Sequence, residues 1–202
     1  MVGVGKFIRK EKQRHIMEHP NWLLYEGVLS EEDCERWIEL GRQAPKQEAK
    51  TFRTGEGESD AHRKTDIRWL PNVGPYTEMH DFLMKVAMDA NKRFGLTLTE
   101  LPPLQFTEYS DVGHHYGMHH DIDWNRQDGK HRKLSIVVQL TDPEDYEGGV
   151  LSFAHTQNPD SEALIKRGSI ICFPSYLEHG VSPITSGSRT SLVGWFEGPR
   201  WR

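Results

Sequence analysis

Cysteine is nearly absent: Cys34 and Cys172 are the only thiols among 202 residues. Cys34 falls in a helical pattern and Cys172 in an apolar run, so both read as small buried residues and not as a disulfide pair. A secretory leader is not expected either. Met1 to His15 carries Lys6, Arg9, Lys10, Lys12 and Arg14 but no apolar core, so it reads as a solvated tail over residues 1–20. Scarce thiols and no leader together give the expectation of a reducing, cytoplasmic compartment. No apolar run approaches the roughly 20 residues that a membrane span needs. Nor is there an excess of positive charge. With 25 Lys and Arg against 30 Asp and Glu, the net charge is −5, which argues against a dedicated nucleic-acid binder. Apolar residues almost vanish from Gln43 to Lys64, where Thr54-Gly-Glu-Gly-Glu-Ser59 reads as a mobile loop.

What remains is an ordinary globular composition, 36% hydrophobic and 27% charged, long enough for one sizeable core over residues 21–202. Leu29-Ser-Glu-Glu-Asp33 opens a helix, with Ser30 as N-cap and acidic residues in the first turn. Cys34, Trp37, Ile38 and Gly41 then share a face. Asp66-Ile-Arg-Trp-Leu70 alternates as a strand does. A second helix runs from Tyr76 to Phe94, with Met79, Phe82, Leu83, Val86, Ala90 and Phe94 at helical spacing and Gly95 as its stop. That stripe is a packing face for a sheet. Beyond about residue 101 the pattern changes to short strands: Leu104–Tyr109, His115–His119, Leu134–Leu140, Val150–Phe153, Ser169–Phe173 and Thr190–Glu197. Asp-Pro, Gly-Gly and Ser-Gly turns between them indicate a two-sheet jelly roll, an α+β chain with a mainly β core at about 101–198 and helical support at about 21–100.

The chemistry concentrates in Tyr109-Ser-Asp-Val-Gly-His-His-Tyr-Gly-Met-His-His-Asp121. In an extended chain His119 and Asp121 lie on one face and can be offered to one ion. A single His-x-Asp is weak evidence, because a polar, solvated turn has the same composition. A third ligand is available in His179, within Leu177-Glu-His-Gly-Val-Ser-Pro183. Two imidazoles and one carboxylate with other positions left open make the facial triad of non-haem Fe(II) oxygenases. Arg189-Thr-Ser191 begins ten residues after His179, where the next strand is expected to return alongside it. Arg189 and Ser191 share a strand face and make a suitable clamp for a carboxylate. Tyr109 and Tyr116 stand ten and three residues before His119, each with a phenol to donate.

From Leu104 to Trp195 the chain resembles the prolyl 4-hydroxylase-like group of Fe(II)/2-oxoglutarate dioxygenases. The matching positions are Tyr109, Gly113, Tyr116, His119-His-Asp121, Glu147-Gly-Gly-Val-Leu151, Phe173-Pro, His179, Pro183 and Gly187-x-Arg189. The resemblance implies a double-stranded β-helix in which His119, Asp121 and His179 hold iron. It implies that Arg189 pairs with the distal carboxylate of 2-oxoglutarate, helped by Tyr109 and Ser191. O2 would be the second co-substrate, succinate and CO2 the by-products, and ascorbate a supporting reductant. The collagen-type enzymes have Lys where this chain has Arg189, so a collagen-like substrate is not implied. The segment at 45–70 corresponds to a flexible substrate lid in the family, an ordinary surface loop being the alternative.

Further residues are candidates with a competing ordinary reading. Along Leu134–Leu140, Gln139 shares a face with Ser135 and Val137; facing inward it would reach the co-substrate, facing outward it would be surface. Ile122–Lys133 reads as a rim loop in which Trp124 touches substrate. Tyr116, Arg68 and Trp195 are further substrate-side candidates. Trp195 lies six residues past Arg189 on the same face, where the nucleic-acid demethylases of the superfamily carry a second Arg, which disfavours base demethylation. His120 must point away from a metal held by its neighbours. His15, His19, His62, His80 and His131 read as surface residues, and His155 as an orienting partner for a ligand imidazole. Three functions follow: hydroxylation of a prolyl residue in a peptide or protein, hydroxylation of a free amino acid or other small molecule, or a non-catalytic jelly-roll binding module.

Overall fold

A computed structural model describes residues 20–48 and 63–201. The basic stretch Met1 to His15 and the loop Thr54–Ser59 lie outside those residues. The flanks of the suspected lid that are described are strands.

In chain order the elements are β1 (Leu23–Tyr25), α1 (Glu31–Gln43), β2 (Gln47–Glu48), β3 (Arg63–Lys64), β4 (Asp66–Leu70), α2 (Thr77–Phe94), β5 (Leu104–Tyr109), β6 (His115–His119), β7 (Lys130–Gln139), β8 (Tyr146–Gly148), β9 (Leu151–Phe153), α3 (Ser161–Ile165), β10 (Ile170–Pro174), β11 (His179–Val181), β12 (Ile184–Gly187) and β13 (Arg189–Pro199). The first helix begins as its capping signal requires: the Ser30 hydroxyl accepts the Asp33 backbone N–H at 3.1 Å. The second ends at Gly95 in the left-handed conformation, φ 64°.

Seven strands form the larger sheet in the order β1-β10-β7-β13-β5-β4-β2, and four form the smaller in the order β3-β6-β11-β9, with β12 and β8 paired apart. All of these pairings are antiparallel. The period-2 alternation of the large sheet separates two cores. Leu104, Phe106, Leu134, Ile136, Val138, Ile170, Cys172, Leu192 and Phe196 point one way, onto Trp37 of α1 and Met79, Leu83, Ala87 and Ala90 of α2. Tyr109, Ile171 and Phe173 point the other way, onto Phe153, Val181 and Ile184 of the smaller sheets. Each fully buried Leu or Met contributes about 1.5–3 kcal/mol, so the α2 stripe alone anchors that helix.

Two histidines expected at the surface are buried. His80 lies on the packed face of α2, with Nε2 3.0 Å from the Leu70 carbonyl. His131 is enclosed because β7 starts at Lys130, four residues earlier than the apolar pattern showed, and pairs with β13 as far as Pro199. The supposed rim loop therefore shrinks to about Ile122–Gly129. Among the described residues no helix is long and apolar enough to cross a membrane.

Helix α1 lies unusually close to the sheet at Gly41. A Cβ there would stand 2.3 Å from Phe106 Cδ2. We expect Gly41→Val to destabilise the protein by about 1–3 kcal/mol through overpacking, read as a lowered denaturation midpoint. An unchanged midpoint would show that the helix can move away without loss.

Candidate active site

The site lies between the two sheets, near the end of β6. His119 closes that strand, Asp121 follows in the turn, and His179 opens β11 with its Cα paired to that of His119. Asp121 is fixed by its own backbone, whose N–H donates to the Ser175 carbonyl at 3.0 Å. The Nε2 atoms of His119 and His179 each stand 3.5 Å from one Asp121 carboxylate oxygen. Candidate ligand atoms from the three residues all lie within 4.8 Å of one another. Both imidazoles are turned by the same device: Nδ1 of His119 is 2.8 Å from the Gly117 carbonyl, and Nδ1 of His179 is 2.8 Å from that of Leu177. A carbonyl can only accept, so Nδ1 carries the proton and Nε2 presents its lone pair. His155, expected to orient a ligand imidazole, instead pairs with Glu178 at 3.0 Å on the exposed surface. His120 points away as anticipated, its Nδ1 2.7 Å from the Tyr176 carbonyl.

The electrostatics match a cation site. Burial alone would raise the Asp121 pKa, but His179, His119 and Arg132 outweigh it and hold the carboxyl well below the ordinary carboxylate range. Burial lowers the pKa of His179, keeping its imidazole neutral. An ionised Asp121 and a neutral His179 are the forms in which these side chains ligate a metal. Ser135 completes the carboxylate's setting, donating its hydroxyl to Asp121 Oδ2 at 2.6 Å.

Ser135 and Gln139 settle which face of β7 looks inward. Gln139 is buried, and its Oε1 accepts from Arg189 Nε at 2.9 Å. Arg189 does not return alongside His179, as its position in the chain suggested. Its strand β13 belongs to the large sheet, between β5 and β7, so the guanidinium reaches in from across the sandwich. It is 4% exposed, and its Nη1 is buried with no hydrogen-bond partner among the described residues. A buried guanidinium N–H left unsatisfied is costly, and a ligand carboxylate is its natural complement. Tyr109 lies beside it, the guanidinium carbon 5.3 Å from the phenol ring centroid. Ser191 is buried on the same strand face, opposite Gln139 and Thr107.

The substrate-side candidates divide. Tyr116 stacks on His119, centroids 3.6 Å apart and planes at 14°, and burial pushes its pKa up to about 12. Trp195 faces inward, next to Trp69. Trp124 is exposed at the rim, edge-on to His131 at 5.3 Å. Arg68 is not brought to the site. It lies on the helix-facing side of β4, paired with Glu108 and over Phe106, because its strand parity is that of Leu70.

Two cations that sequence reasoning passed over do reach the site. A one-residue bulge at Lys133 shifts the register of β7 against β13 and turns Arg132 inward. Its guanidinium carbon lies 3.8 Å from the Trp195 ring centroid, a cation–π contact beside the triad. Arg63 is buried 4.3 Å from the Tyr116 ring centroid and donates to Gln105 at 2.7 Å and to Thr65 at 3.0 Å, both neutral partners. Pattern alone could not reveal either residue, since a bulge and a loop-flanked strand leave no periodic signal.

A two-sheet β sandwich with an inward His-x-Asp…His triad and a facing buried arginine defines a non-haem metal-site protein of the double-stranded β-helix class. Residues 104–197 match the 2OG-Fe(II) oxygenase superfamily. A PKHD-type hydroxylase of Synechococcus sp. (strain CC9902) is 43% identical over 88 residues, 44% of this chain and 38% of that protein. One from Prochlorococcus marinus (strain NATL1A) is 30% identical over 156 residues, 75% of this chain and 69% of that protein. The first four curated relatives are matched over only 38%, 59%, 60% and 61% of their own length. The fold is shared with the viral collagen prolyl hydroxylase of Paramecium bursaria Chlorella virus-1, solved with 2OG, at TM-score 0.69 and 18% identity, covering 91% of this chain and 99% of that one. The chain belongs to the 2OG-Fe(II) oxygenase superfamily.

Proposed function

We propose that this protein is an Fe(II)- and 2-oxoglutarate-dependent dioxygenase that hydroxylates prolyl residues in a peptide or protein. The observation that carries this reading is the pairing of a His119–Asp121–His179 cluster, two of its three members buried, with an Arg189 whose Nη1 has no partner among the described residues. One half suits a divalent metal, the other a dicarboxylic co-acid. The prolyl substrate draws support from the hydroxylase relatives and from a fold shared with a collagen prolyl hydroxylase.

The residues fit both groups. His119, Asp121 and His179 would hold iron on one side and leave its other positions to small molecules. Arg189, braced by Gln139, would seat the distal carboxylate of 2-oxoglutarate. Iron(II), when bound, supplies oxygen activation coupled to decarboxylation of the 2-oxo acid. The protein orients the reactants and keeps the site dry: the Phe173 and Phe153 rings pack at 4.7 and 6.3 Å from that of His179. Arg132 and Trp195 form the wall beside the triad, and Trp124 stands at the rim, where an extended peptide would lie.

The test is incubation with Fe(II), 2-oxoglutarate, ascorbate and a library of proline-containing peptides. Succinate release in step with hydroxyproline is the expected result. Succinate coupled instead to a free amino acid would replace the peptide reading with a small-molecule one. No coupled turnover of any kind, with folded iron-loaded protein, would leave the non-catalytic binding module.

A further inference from the structure

Cations collect on the substrate side of the triad, in a chain whose net charge is −5. Arg132 sits half-buried over Trp195, its guanidinium carbon 3.8 Å from the ring centroid. Among the described residues its hydrogen bonding is one long contact, Nη1 donating to the Asp121 backbone carbonyl at 3.5 Å. The carboxylates around it are engaged elsewhere. Glu197 binds Arg126 at 2.5 and 2.8 Å, while the Asp121 carboxylate accepts from Ser135 and faces the two ligand imidazoles. A guanidinium carries five N–H donors, so most of this one's capacity is unused.

Two more groups of this kind stand on the same wall. Arg63, 6% exposed, donates among the described residues to the neutral Gln105 and Thr65. The indole Nε1–H of Trp195 is buried with no acceptor among the described residues. Both guanidinium charges act on Tyr116, whose ring stacks on His119, so they converge on one place. A buried donor without an acceptor and a cation without a counter-charge are each costly. An anionic acceptor relieves both, and a guanidinium is well matched to a carboxylate.

The co-substrate does not meet this demand. Fe(II), Asp121, Arg189 and a dianionic 2-oxo acid together carry no net charge, so Arg63 and Arg132 leave the filled site positive. A neutral prolyl segment would cover them without compensation. We propose that Arg132 is a specificity-determining residue, which receives a carboxylate carried by the substrate next to the residue that is hydroxylated, with Arg63 adding its charge. This deepens the functional reading given above and rests on it. An acidic side chain beside proline, the terminal carboxylate of a peptide ending in proline and the carboxylate of free proline share the required chemistry.

The experiment measures heats of binding to Fe(II)-loaded protein with 2-oxoglutarate under nitrogen, so that no turnover occurs. The probes are three matched pairs: a capped peptide with Glu or with Gln on both sides of one Pro, a peptide ending in Pro as free acid or amide, and L-proline or L-prolinamide. In at least one pair the acid should bind about ten- to a hundred-fold more tightly than its neutral partner, as a hydrogen bond to a charged group gives. The pair that shows this names the source of the carboxylate. In Arg132→Gln protein the ratio should fall to about one, and in Arg132→Lys, which keeps the charge but not the fork, to an intermediate value. Ratios near one in all three pairs, or no binding of any probe, would overturn the assignment. So would an unchanged ratio in folded Arg132→Gln protein with both members weakened alike, which would make Arg132 a support of the fold. Should Arg132→Gln fail to fold, an unchanged ratio in Arg132→Lys overturns it equally. Admitting oxygen tests the other reading separately: a preference for the acid without succinate or hydroxyproline would sink the proposed hydroxylation and leave the carboxylate site standing.

Discussion

Replacing His179 with glutamine, which roughly keeps the side-chain volume, should abolish the Fe(II)–2-oxoglutarate absorption band and any coupled turnover. His179 supplies one of three ligands, and its Nε2 is aimed by the Nδ1 contact to the Leu177 carbonyl. Tetrahedral structural zinc sites bind with about 10–16 kcal/mol across four ligands, so one ligand is worth roughly 3 kcal/mol, or at least about a hundred-fold in metal affinity. The neighbouring imidazoles provide the contrast. His120→Ala and His155→Ala should bind iron normally, since one is turned to the Tyr176 carbonyl and the other to Glu178 at the surface. Metal titration with a circular dichroism check of folding measures this. Full iron affinity in folded His179→Gln protein would dismiss the triad.

Replacing Arg189 with alanine should weaken 2-oxoglutarate binding by at least about thirty-fold, because losing one partner of a buried, hydrogen-bonded charge pair costs about 2–5 kcal/mol. Stability should fall less than in an ordinary buried truncation. Without ligand, Arg189 carries a buried charge with Nη1 unpartnered, so removing it relieves a desolvation cost and offsets the loss of packing and of the Gln139 bond. The unliganded variant should unfold within a few degrees of the parent, yet gain no thermal stability when 2-oxoglutarate is added. Arg189→Lys should recover only part of the binding, for an ammonium cannot hold Gln139 and a carboxylate with the same fixed fork. A variant that unfolds far earlier while binding the co-acid normally would make Arg189 structural.

Much of the fold was legible because its signals are local. The Ser30 cap, the helical spacing from Met79 to Phe94 and the Gly95 stop are written in consecutive residues, and both helices occur where those signals place them. Strands β5 and β6 follow from alternation bounded by turn residues. The brief strands β8, β11 and β12 did not, since three or four residues carry too little periodicity and form only because a partner strand lies beside them. His80 and His131 were misread for a related reason: a polar side chain does not announce that a neighbouring element will cover it.

For the site, the sequence by itself determined chemistry and parity. His-x-Asp on one extended strand, a later histidine and an arginine two residues before a serine fix which groups are available and which pairs share a face. Tertiary structure alone decided what meets what. It set Arg189 across the sandwich from His179, not beside it, turned Gln139 inward, and sent Arg68 to the helix layer. Through one bulged residue it brought Arg132 over Trp195. These outcomes depend on strand order and register between segments tens of residues apart. A shift of one residue in register exchanges the faces of a strand, and no short-range pattern encodes it.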